Sequence, residues 1–513
     1  MKIPYSIKGE LTLKNSYILS IDQSTSATKA IIFNEKGELL YRYNVEHAQY
    51  YPNPGWVEHD ATEIYRNTIE AAKHVINDNG IDKECIVALS ITNQRETTVV
   101  WNKNTGEPVC NAVVWQCQRG SEICRKLEEK GYGPIVKDKT GLVLSPYFSA
   151  AKAAWVLDNV EGARQKAEAG SLLFGTIDTW LIWKLTGGQF HVTDYSNASR
   201  TQLFNIKELK WDEELLKAFN IPMNMMPKVK YSDEIFGYTD MEGLFNKKIA
   251  ISGIMGDSHA ALFGQNCFVK GMAKATYGTG SSIMMNIGKK PMDSHKGLVT
   301  SLAWGMNGDV EYVFEGNINC TGATIKWLVD DLQLISSSKE SGPIASSVDG
   351  NNGVYLVPAF VGLSAPYWDS EAKATITGIT RGTKKAHIVR AAEESIAYQI
   401  KDILDLMVEE SETELKELRV DGGPTRDEFL MQFQADMLNV PVVRTKIEEL
   451  SAIGSAYMAG LAVKLWKNKE EIESLRVTDK EFKCKMDSIE RDELYKGWKE
   501  AVKRTLSDYT KCK

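Results

Sequence analysis

Apolar and polar positions alternate in blocks that predict strands at the start of the chain. Residues 17–21 are apolar apart from Ser20, a small hydroxyl-rich stretch runs from Asp22 to Thr28, and 30–33 is apolar again. Asn34-Glu-Lys-Gly37 is a turn sequence, and 38–41 follows it as a further short run. This spacing predicts three strands in meander order, with a polar loop between the first two. A strand that ends in Asp and enters a Ser/Thr turn suits anion binding. The turn N–H groups form a concavity, and the Asp can hold Mg²⁺ directly or through water. The pattern returns at 272–286, where Tyr277-Gly-Thr-Gly-Ser281 separates two strand-like runs, about half a chain after Thr25. Two such hairpins predict an internal duplication: two domains of like fold, each offering a loop to one nucleotide.

Mixed α/β signals fill the rest. The spacing of 61–77 predicts a helix, and 86–91 a buried strand leading into Thr92-Asn-Gln-Arg-Glu-Thr97. A strand at 249–252 enters a glycine-flanked turn and a helix start at Asp257. Further helices are predicted at 322–332, 387–407 and 455–465, with a glycine- and proline-containing segment over 360–382 and a strand-to-helix junction at 418–424. Beyond 465 the chain turns charged and reads as a helical surface tail.

Composition narrows the classes. Lys+Arg 61 against Asp+Glu 68 leaves a net charge of −7 over 513 residues, which argues against a nucleic-acid partner. Hydrophobic residues at 43% and charged residues at 25% are ordinary globular values. No run approaches the roughly 18 apolar residues of a membrane span, and the start has no apolar signal core, so no membrane partner and a cytoplasmic location are expected. The eight cysteines (Cys85, Cys110, Cys117, Cys124, Cys267, Cys320, Cys484 and Cys512) form no C-x-x-C pair and read as reduced thiols. The seven histidines are dispersed, so any metal is expected to be a hard cation held by carboxylates and phosphates.

Several residues could carry chemistry. Asp257 ends an apolar strand beside Gly256, where a carboxylate could accept a proton from a substrate hydroxyl; a helix N-cap is an equal reading. Arg95 and Glu96 follow a buried strand and could bind hydroxyls, whereas a surface ion pair is the commoner fate of such a dipeptide. Trp115 and Tyr147 could wall a polyol pocket, or be core. Asp421-Gly422-Gly423 permits close backbone approach to a ligand, and Gly322 is a weaker candidate of the same kind. The chain has no G-x-x-x-x-G-K-[ST] loop, and no G-x-G-x-x-G follows its first strand.

Taken in order, Asp22-Gln-Ser-Thr-Ser26, Pro54-Gly-Trp-Val-Glu-His-Asp60, Asn93-Gln-Arg-Glu-Thr97, Gly141 to Ser149, Gly175-Thr-Ile-Asp-Thr-Trp180, Gly256-Asp257, Tyr277-Gly-Thr-Gly280, Phe360 to Trp368 and Asp421-Gly-Gly423 resemble the FGGY carbohydrate kinases, in the branch that acts on glycerol. The resemblance spans about 17–464. It implies an α/β fold of two actin-like (ribonuclease H-like) domains around an interdomain catalytic cleft. The implied division is an extension at 1–16, a polyol-side domain at 17–266, a nucleotide-side domain at 267–464 and a helical tail at 465–513. It also implies ATP and Mg²⁺, and assembly as a homo-dimer or tetramer. Carried over by position, Asp257 is the implied general base, and Asp22 the residue near the metal and the transferring phosphate. Arg95, Glu96, Trp115, Tyr147, Asp257, Ser258 and Ser282 fall at polyol-binding positions. Ser24, Thr25, Ser26, Lys29, Thr279, Gly280, Gly322, Gly423 and Asp427 fall at nucleotide-binding positions.

The chain also departs from that branch. Ser258-His259 stands where Gln-Gln is usual, and Ser282 where an aromatic ring is. Lys29 replaces an Arg and so keeps the charge without the two-pronged fork. Lys326 and Asp427 replace Gln and Asn on the nucleotide side, and Cys117 an acid. The expected activity is phosphoryl transfer from ATP to a small polyol, glycerol first. A four- or five-carbon polyol or ketose (erythritol- or xylulose-like) is the alternative, given room left by the serines. An actin- or chaperone-like ATPase is the alternative of another class. The segment 237–248 has no histidine to phosphorylate.

Overall fold

The central strands are near-continuous apolar runs, the mark of sheets covered on both faces. In the computed structural model, which describes residues 16–507, two such sheets form. The first holds β1 (Tyr17–Gln23), β2 (Ala27–Asn34), β3 (Leu39–Glu46), β4 (Ile86–Asn93), β5 (Gly237–Thr239) and β6 (Ile249–Gly256), in spatial order β5-β6-β4-β1-β2-β3. The second holds β7 (Met272–Tyr277), β8 (Ser281–Gly288), β9 (Val299–Met306), β10 (Asp309–Ile318), β11 (Glu417–Asp421), β12 (Val442–Thr445) and β13 (Thr478–Phe482), in order β9-β10-β8-β7-β11-β12-β13.

The two sheets follow one plan. β1, β2 and β3 form an antiparallel meander, β4 and β6 add in parallel beside β1, and β5 closes that edge antiparallel. β7, β8 and β10 repeat the meander, β11 and β12 the parallel pair, and β13 the antiparallel edge, with β9 added outside β10. The duplication expected from two hairpins therefore extends through both sheets, although the sequence shows it only at the turns.

Register sets the level of the site. Asp22 lies opposite Lys29 on β2 and Thr92 on β4, and Asn93 lies opposite Gly256, so β1, β4 and β6 end together. In the second sheet Thr276 lies opposite both Ser282 and Asp421. Ligands of open α/β sheets gather at such carboxyl ends.

Two helices weld the lobes. α1 (Asp257–Gly264) follows β6, and α2 (Leu450–Ala462) follows β12, the equivalent strand. α2 packs on β1, β4 and β6 of the first sheet, while Ala260–Phe263 of α1 join a core with Met272, Met284, Ala303 and Trp304 of the second. A division at 266/267 thus separates the chain but not the packing, because each lobe lends a helix to the other. The helices cross so closely that a Cβ on Gly454 would collide with the Ala260 carbonyl. Gly253 sits at φ +67 in a β6 bulge, and a side chain there would strike the Ser455 carbonyl.

The stretch past 464 is helical over Lys469–Leu475 and α3 (Ser488–Thr505), but it is not a surface tail. Thr478–Phe482 supplies β13, and Trp498, Ala501, Val502 and Thr505 form a buried stripe at helical spacing. Trp498 stacks on Tyr398 at 5.2 Å. Buried Asp402 accepts hydrogen bonds from Trp498 Nε1, Tyr495 and Tyr367 at 2.6–2.8 Å. The expected extension at 1–16 lies outside the described residues except for Ser16, as do 508–513 with Cys512.

Candidate active site

Asp257 is the first residue of α1, with Gly256 at the cap position and no side-chain capping bond. Its carboxylate is 38% exposed and lies 3.2 Å from Arg95 Nε. Gly256 rather than Asp257 holds the cap position, although the carboxylate accepts from the Ser258 N–H at 2.6 Å, and it faces the junction of the lobes.

Arg95 and Glu96 are buried, so the surface-pair reading falls too. Arg95 grips Glu315 of β10 with both terminal nitrogens, at 3.0 and 2.9 Å, and so ties the first lobe to the second. Arg200 donates to Glu96 at 2.6 Å and pairs in charge with Glu315, its Nη1 lying 2.9 Å away without hydrogen-bond geometry. Five charges thus form a chain from Asp257 through Arg95, Glu315 and Arg200 to Glu96. Burial alone would raise the Glu315 carboxyl, but the Arg200 and Arg95 guanidiniums hold it well below the usual carboxylate range. Glu96 itself adopts φ 62, a conformation rare outside glycine and common at functional sites. Burial, then the nearby Arg95 charge, keeps His259 neutral, with Nε2 3.0 Å from Ser301 Oγ.

Trp115 and Tyr147 meet edge to face, with centroids 5.4 Å apart, and form one wall. Trp115 Nε1 donates to Thr25 Oγ1 at 3.0 Å, joining that wall to the first turn. Lys152, fully buried, donates to the carbonyls of Pro146, Tyr147 and Phe148 and fixes the loop that carries Tyr147. Ser258 is half-buried at the start of α1, and the Ser282 hydroxyl is buried without a hydrogen-bond partner.

In the first turn, the Ser24 hydroxyl is occupied by Ala27, while Ser26 is exposed. Lys29 lies 3.6 Å from Asp22 and 2.7 Å from Glu449, which caps α2. Asp22 is pushed up to about 6 by burial, with Glu449 and Asp257 adding to the effect and Lys29 opposing it. In the second turn, the Thr279 carbonyl accepts from Thr321 and Ala323, and Gly322 N–H donates to Gly278, so the turn is locked to the helix Gly322–Asp330. Gly280 packs against the Ile318 carbonyl. Buried Lys274 reaches Thr276 at 3.2 Å, and Thr276 reaches Asp421 at 3.0 Å. Lys274 and Asp22, one from each sheet, both lie within electrostatic reach of Asp257. Behind the second turn is a cavity of about 1000 Å³, lined in part by Gly322, Lys326, Glu393, Gly423 and Asp427. A side chain at Gly423 would project into open space.

The structure therefore gathers the predicted residues into an acceptor cluster (Arg95, Glu96, Trp115, Tyr147, Asp257) and a cavity set (Gly322, Gly423, Asp427). Thr279 and Gly280 sit in the turn beside that cavity. The Ser24 hydroxyl donates to the Ala27 carbonyl, whereas Thr25 Oγ1 accepts from Trp115 and keeps its own O–H to donate, so Thr25, exposed Ser26 and the turn's backbone N–H groups are available to a phosphate.

Sequence reasoning missed Arg200, Lys274, Glu315, Glu449 and Lys152. Lys274 leaves a signal, the single charge in its strand, whereas Glu315 shares β10 with Asp309 and Glu311 and does not stand out. Among the described residues, no group of three or more His, Cys, Asp or Glu side chains could cage a metal alone. Asp22, a buried carboxylate whose charge Lys29 compensates only in part, suits a divalent ion shared with phosphates.

Family models for the FGGY carbohydrate kinases match this chain, the N-terminal domain over residues 17–264 and the C-terminal domain over 273–463. Glycerol kinase 2 of Thermotoga maritima is 55% identical over 490 residues, 96% of this chain and 99% of the relative. Glycerol kinase of Bacillus subtilis is 52% identical over 492 residues, with 96% and 99% covered. The crystal structure of Plasmodium falciparum glycerol kinase with ADP superposes at TM-score 0.91 and 38% identity, covering 96% of this chain and 98% of that one.

Proposed function

This chain belongs to the FGGY family of carbohydrate kinases, and on that premise we propose that it transfers the γ-phosphoryl group of ATP to a hydroxyl of glycerol. The observation that carries the reading is the Asp257 carboxylate, open to the junction of the lobes and held by Arg95, with Lys29 and Lys274 arriving from opposite sheets.

Glycerol offers three hydroxyls and an apolar C–H face. In this reading Trp115 and Tyr147 pack on the C–H face, and Arg95 and Glu96 bond hydroxyls as donor and acceptor. Asp257 accepts the proton of the attacking hydroxyl as the new P–O bond forms. Arg95 keeps that carboxylate aimed, and Glu315 keeps Arg95 aimed in turn. Lys29 and Lys274 offset the negative charge of the transferring group, a task of positioning and electrostatics. Asp22 would hold Mg²⁺ together with the phosphates, and the ion would supply further charge neutralisation when bound. Closure of the lobes would exclude water during transfer.

A four- or five-carbon polyol or ketose is the second reading, favoured by Ser258 and the unpartnered hydroxyl of Ser282. Identities of 52–55% to glycerol kinases over nearly the whole chain put glycerol first. A coupled ADP assay over glycerol, erythritol and xylulose decides between them. Glycerol should give the highest kcat/KM. Glycerol-independent ATP turnover would instead support the ATPase reading. No helix among the described residues is long and apolar enough to cross a membrane. Cytoplasmic location and a homo-dimer or tetramer belong to the same proposal, the latter to be read from solution mass.

A further inference from the structure

The carbonyls of the first turn are all held from behind. Ser24 O accepts from Gln23 Nε2 at 2.8 Å and from Gln94 Nε2 at 3.1 Å. Thr25 O accepts from the His47 ring Nε2 at 2.9 Å, and Ser26 O from the His47 backbone N–H at 3.3 Å. The opposite side of the turn has no such partners. Among the described residues, the N–H groups of Thr25 and Ser26 make no hydrogen bond, and Ser26 is exposed. The Thr25 hydroxyl keeps its proton to donate while it accepts from Trp115 Nε1 at 3.0 Å. In a trans peptide the C=O and the following N–H point to opposite sides. Gripping the Ser24 and Thr25 carbonyls therefore aims the Thr25 and Ser26 N–H groups forward, into a concavity of the kind that takes a phosphate oxygen.

His47 is itself fixed on both sides. It follows β3 and is buried, and the helix Ala61–Asn77 holds its two neighbours: the Glu46 carbonyl accepts from Asn67 Nδ2 at 3.1 Å, and the Ala48 N–H donates to Glu63 at 3.3 Å. The His59 ring meets the His47 ring edge to face, with centroids 4.6 Å apart, and its Nδ1 accepts from Gln94 Nε2 at 3.4 Å. One imidazole thus braces both the ring that grips Thr25 and the amide that grips Ser24. Because Thr25 O is an acceptor, the His47 ring proton sits on Nε2. Its Nδ1 is buried without a partner, and a second proton there would be an unmatched donor, so the ring works in its neutral form.

We propose that His47 is a positioning residue for the transferring phosphate: its ring turns the Thr25–Ser26 peptide so that the Ser26 N–H points at the γ-phosphoryl group. This rests on the kinase reading above for what the turn faces. His47 touches neither substrate in this arrangement and acts only through the turn. Without the ring donor the Thr25 carbonyl loses its partner, and the peptide can rotate to present an acceptor where the phosphate needs a donor. The same rotation loosens Thr25 beneath Trp115, and with it one wall of the polyol site. The effect belongs to nucleotides that carry a γ-phosphate, because ADP has no group to reach this turn. A histidine that merely filled space beside His59 would have no use for its Nε2–H, and a phenyl ring would serve equally well.

Two variants of the full chain test this. His47→Phe keeps a ring beside His59 but has no N–H, and His47→Gln returns a donor at similar reach. Calorimetry with ADP and with the β,γ-imido analogue of ATP reads the ratio of the two affinities, and kcat reads transfer to glycerol. In His47→Phe the analogue should bind about tenfold more weakly relative to ADP, and kcat should fall about 10–100-fold, the effect of one lost hydrogen bond that leaves a polar group unmatched. His47→Gln should bring both to within about threefold of wild type, since its amide N–H can meet the same carbonyl. An unchanged ratio in His47→Phe overturns the proposal, as does a loss that the glutamine fails to relieve. A purely structural role would lower the unfolding midpoint and leave the ratio level. Should the phenylalanine variant not fold, His47→Asn, too short to reach the Thr25 carbonyl, carries the same comparison. A wild-type chain that binds both nucleotides but transfers nothing to glycerol would indict the proposed reaction and leave the ratio test standing. A wild-type chain that binds neither overturns both.

Discussion

The two lobes share a strand order but meet their ligands by opposite means. The first lobe ends its strands in ionic side chains: Asp22 on β1, Arg95 and Glu96 just past β4, and Asp257 after β6. These groups are cross-paired, partly through Glu315 of the other lobe, and are largely buried. The second lobe runs its strand ends into glycine turns, with Gly278 to Gly280 after β7 and Gly422 and Gly423 after Asp421 closes β11, beside a cavity of about 1000 Å³. The difference follows from the task each performs in the proposed reaction. A small polyol has only hydroxyls to grip, and its proton must leave in one direction, so pre-aimed charge is needed. A nucleotide brings its own charge and surface, so N–H groups and room suffice.

The sharpest way to break this comparison is Asp257→Asn. If the charged lobe does the chemistry, kcat should fall by about 10²–10⁴ while ADP binding holds, since Arg95 keeps its Glu315 partner. Turnover within a few-fold of wild type would remove Asp257 from the role of base.

Next in size is Glu315→Ala. It strands the Arg95 and Arg200 guanidiniums in a buried junction, and loss of one partner from such a network costs about 3–5 kcal/mol. Denaturant unfolding should show this loss, with kcat/KM for the polyol reduced as well. Glu448→Ala is the control, because its pair with Arg42 at 3.6 Å is exposed and contributes at most about 1 kcal/mol. Equal losses from the two variants would mean that the junction is wet, not a sealed weld.

How much of this was legible in the chain depends on where each signal lives. The hairpins were readable because a strand that ends in a polar turn is local. Asp22 and Asp257 were readable because each closes an apolar run. Glu315 and Arg200 were not, because what matters about them is a meeting across more than 100 residues of sequence. The single charge of its strand, Lys274, was the available clue. The charged composition beyond 465 pointed to solvent, yet the i, i+3, i+4, i+7 stripe of Trp498, Ala501, Val502 and Thr505 names a packed face. A net composition conceals a face; periodicity reveals it. The exchange of α1 and α2 between the lobes had no local signature beyond the small residues, Gly454 and Ser455, that permit it.

Gly423→Val sharpens the other half of the comparison. Its Cβ would meet no protein atom within 4 Å, so folding should be untouched while the side chain enters the cavity. ADP affinity should weaken by about 10–100-fold, the cost of overfilling a packed contact, with the KM for polyol little changed. An unaltered ADP affinity would place the nucleotide away from this backbone.

The smallest effect concerns Asp22, where the ionic lobe is strained by its own design. Its carboxyl titrates at about 6 in the folded chain against an ordinary 3.8, chiefly through burial. A raised value means that the folded state holds the proton more tightly. The group therefore contributes its stability in full below about pH 4 and loses it as the pH rises through about 6. At neutral pH the ionised carboxylate costs the ligand-free protein about 1–2 kcal/mol, after discounting for Lys29 beside it. Asp22→Asn removes that cost. The variant should unfold at higher urea than wild type at about pH 7 and at the same urea at about pH 4, while losing phosphoryl transfer. Were the variant less stable at neutral pH, Lys29 would already satisfy the carboxylate, and the argument that Asp22 waits for a cation arriving with the phosphates would lose its basis.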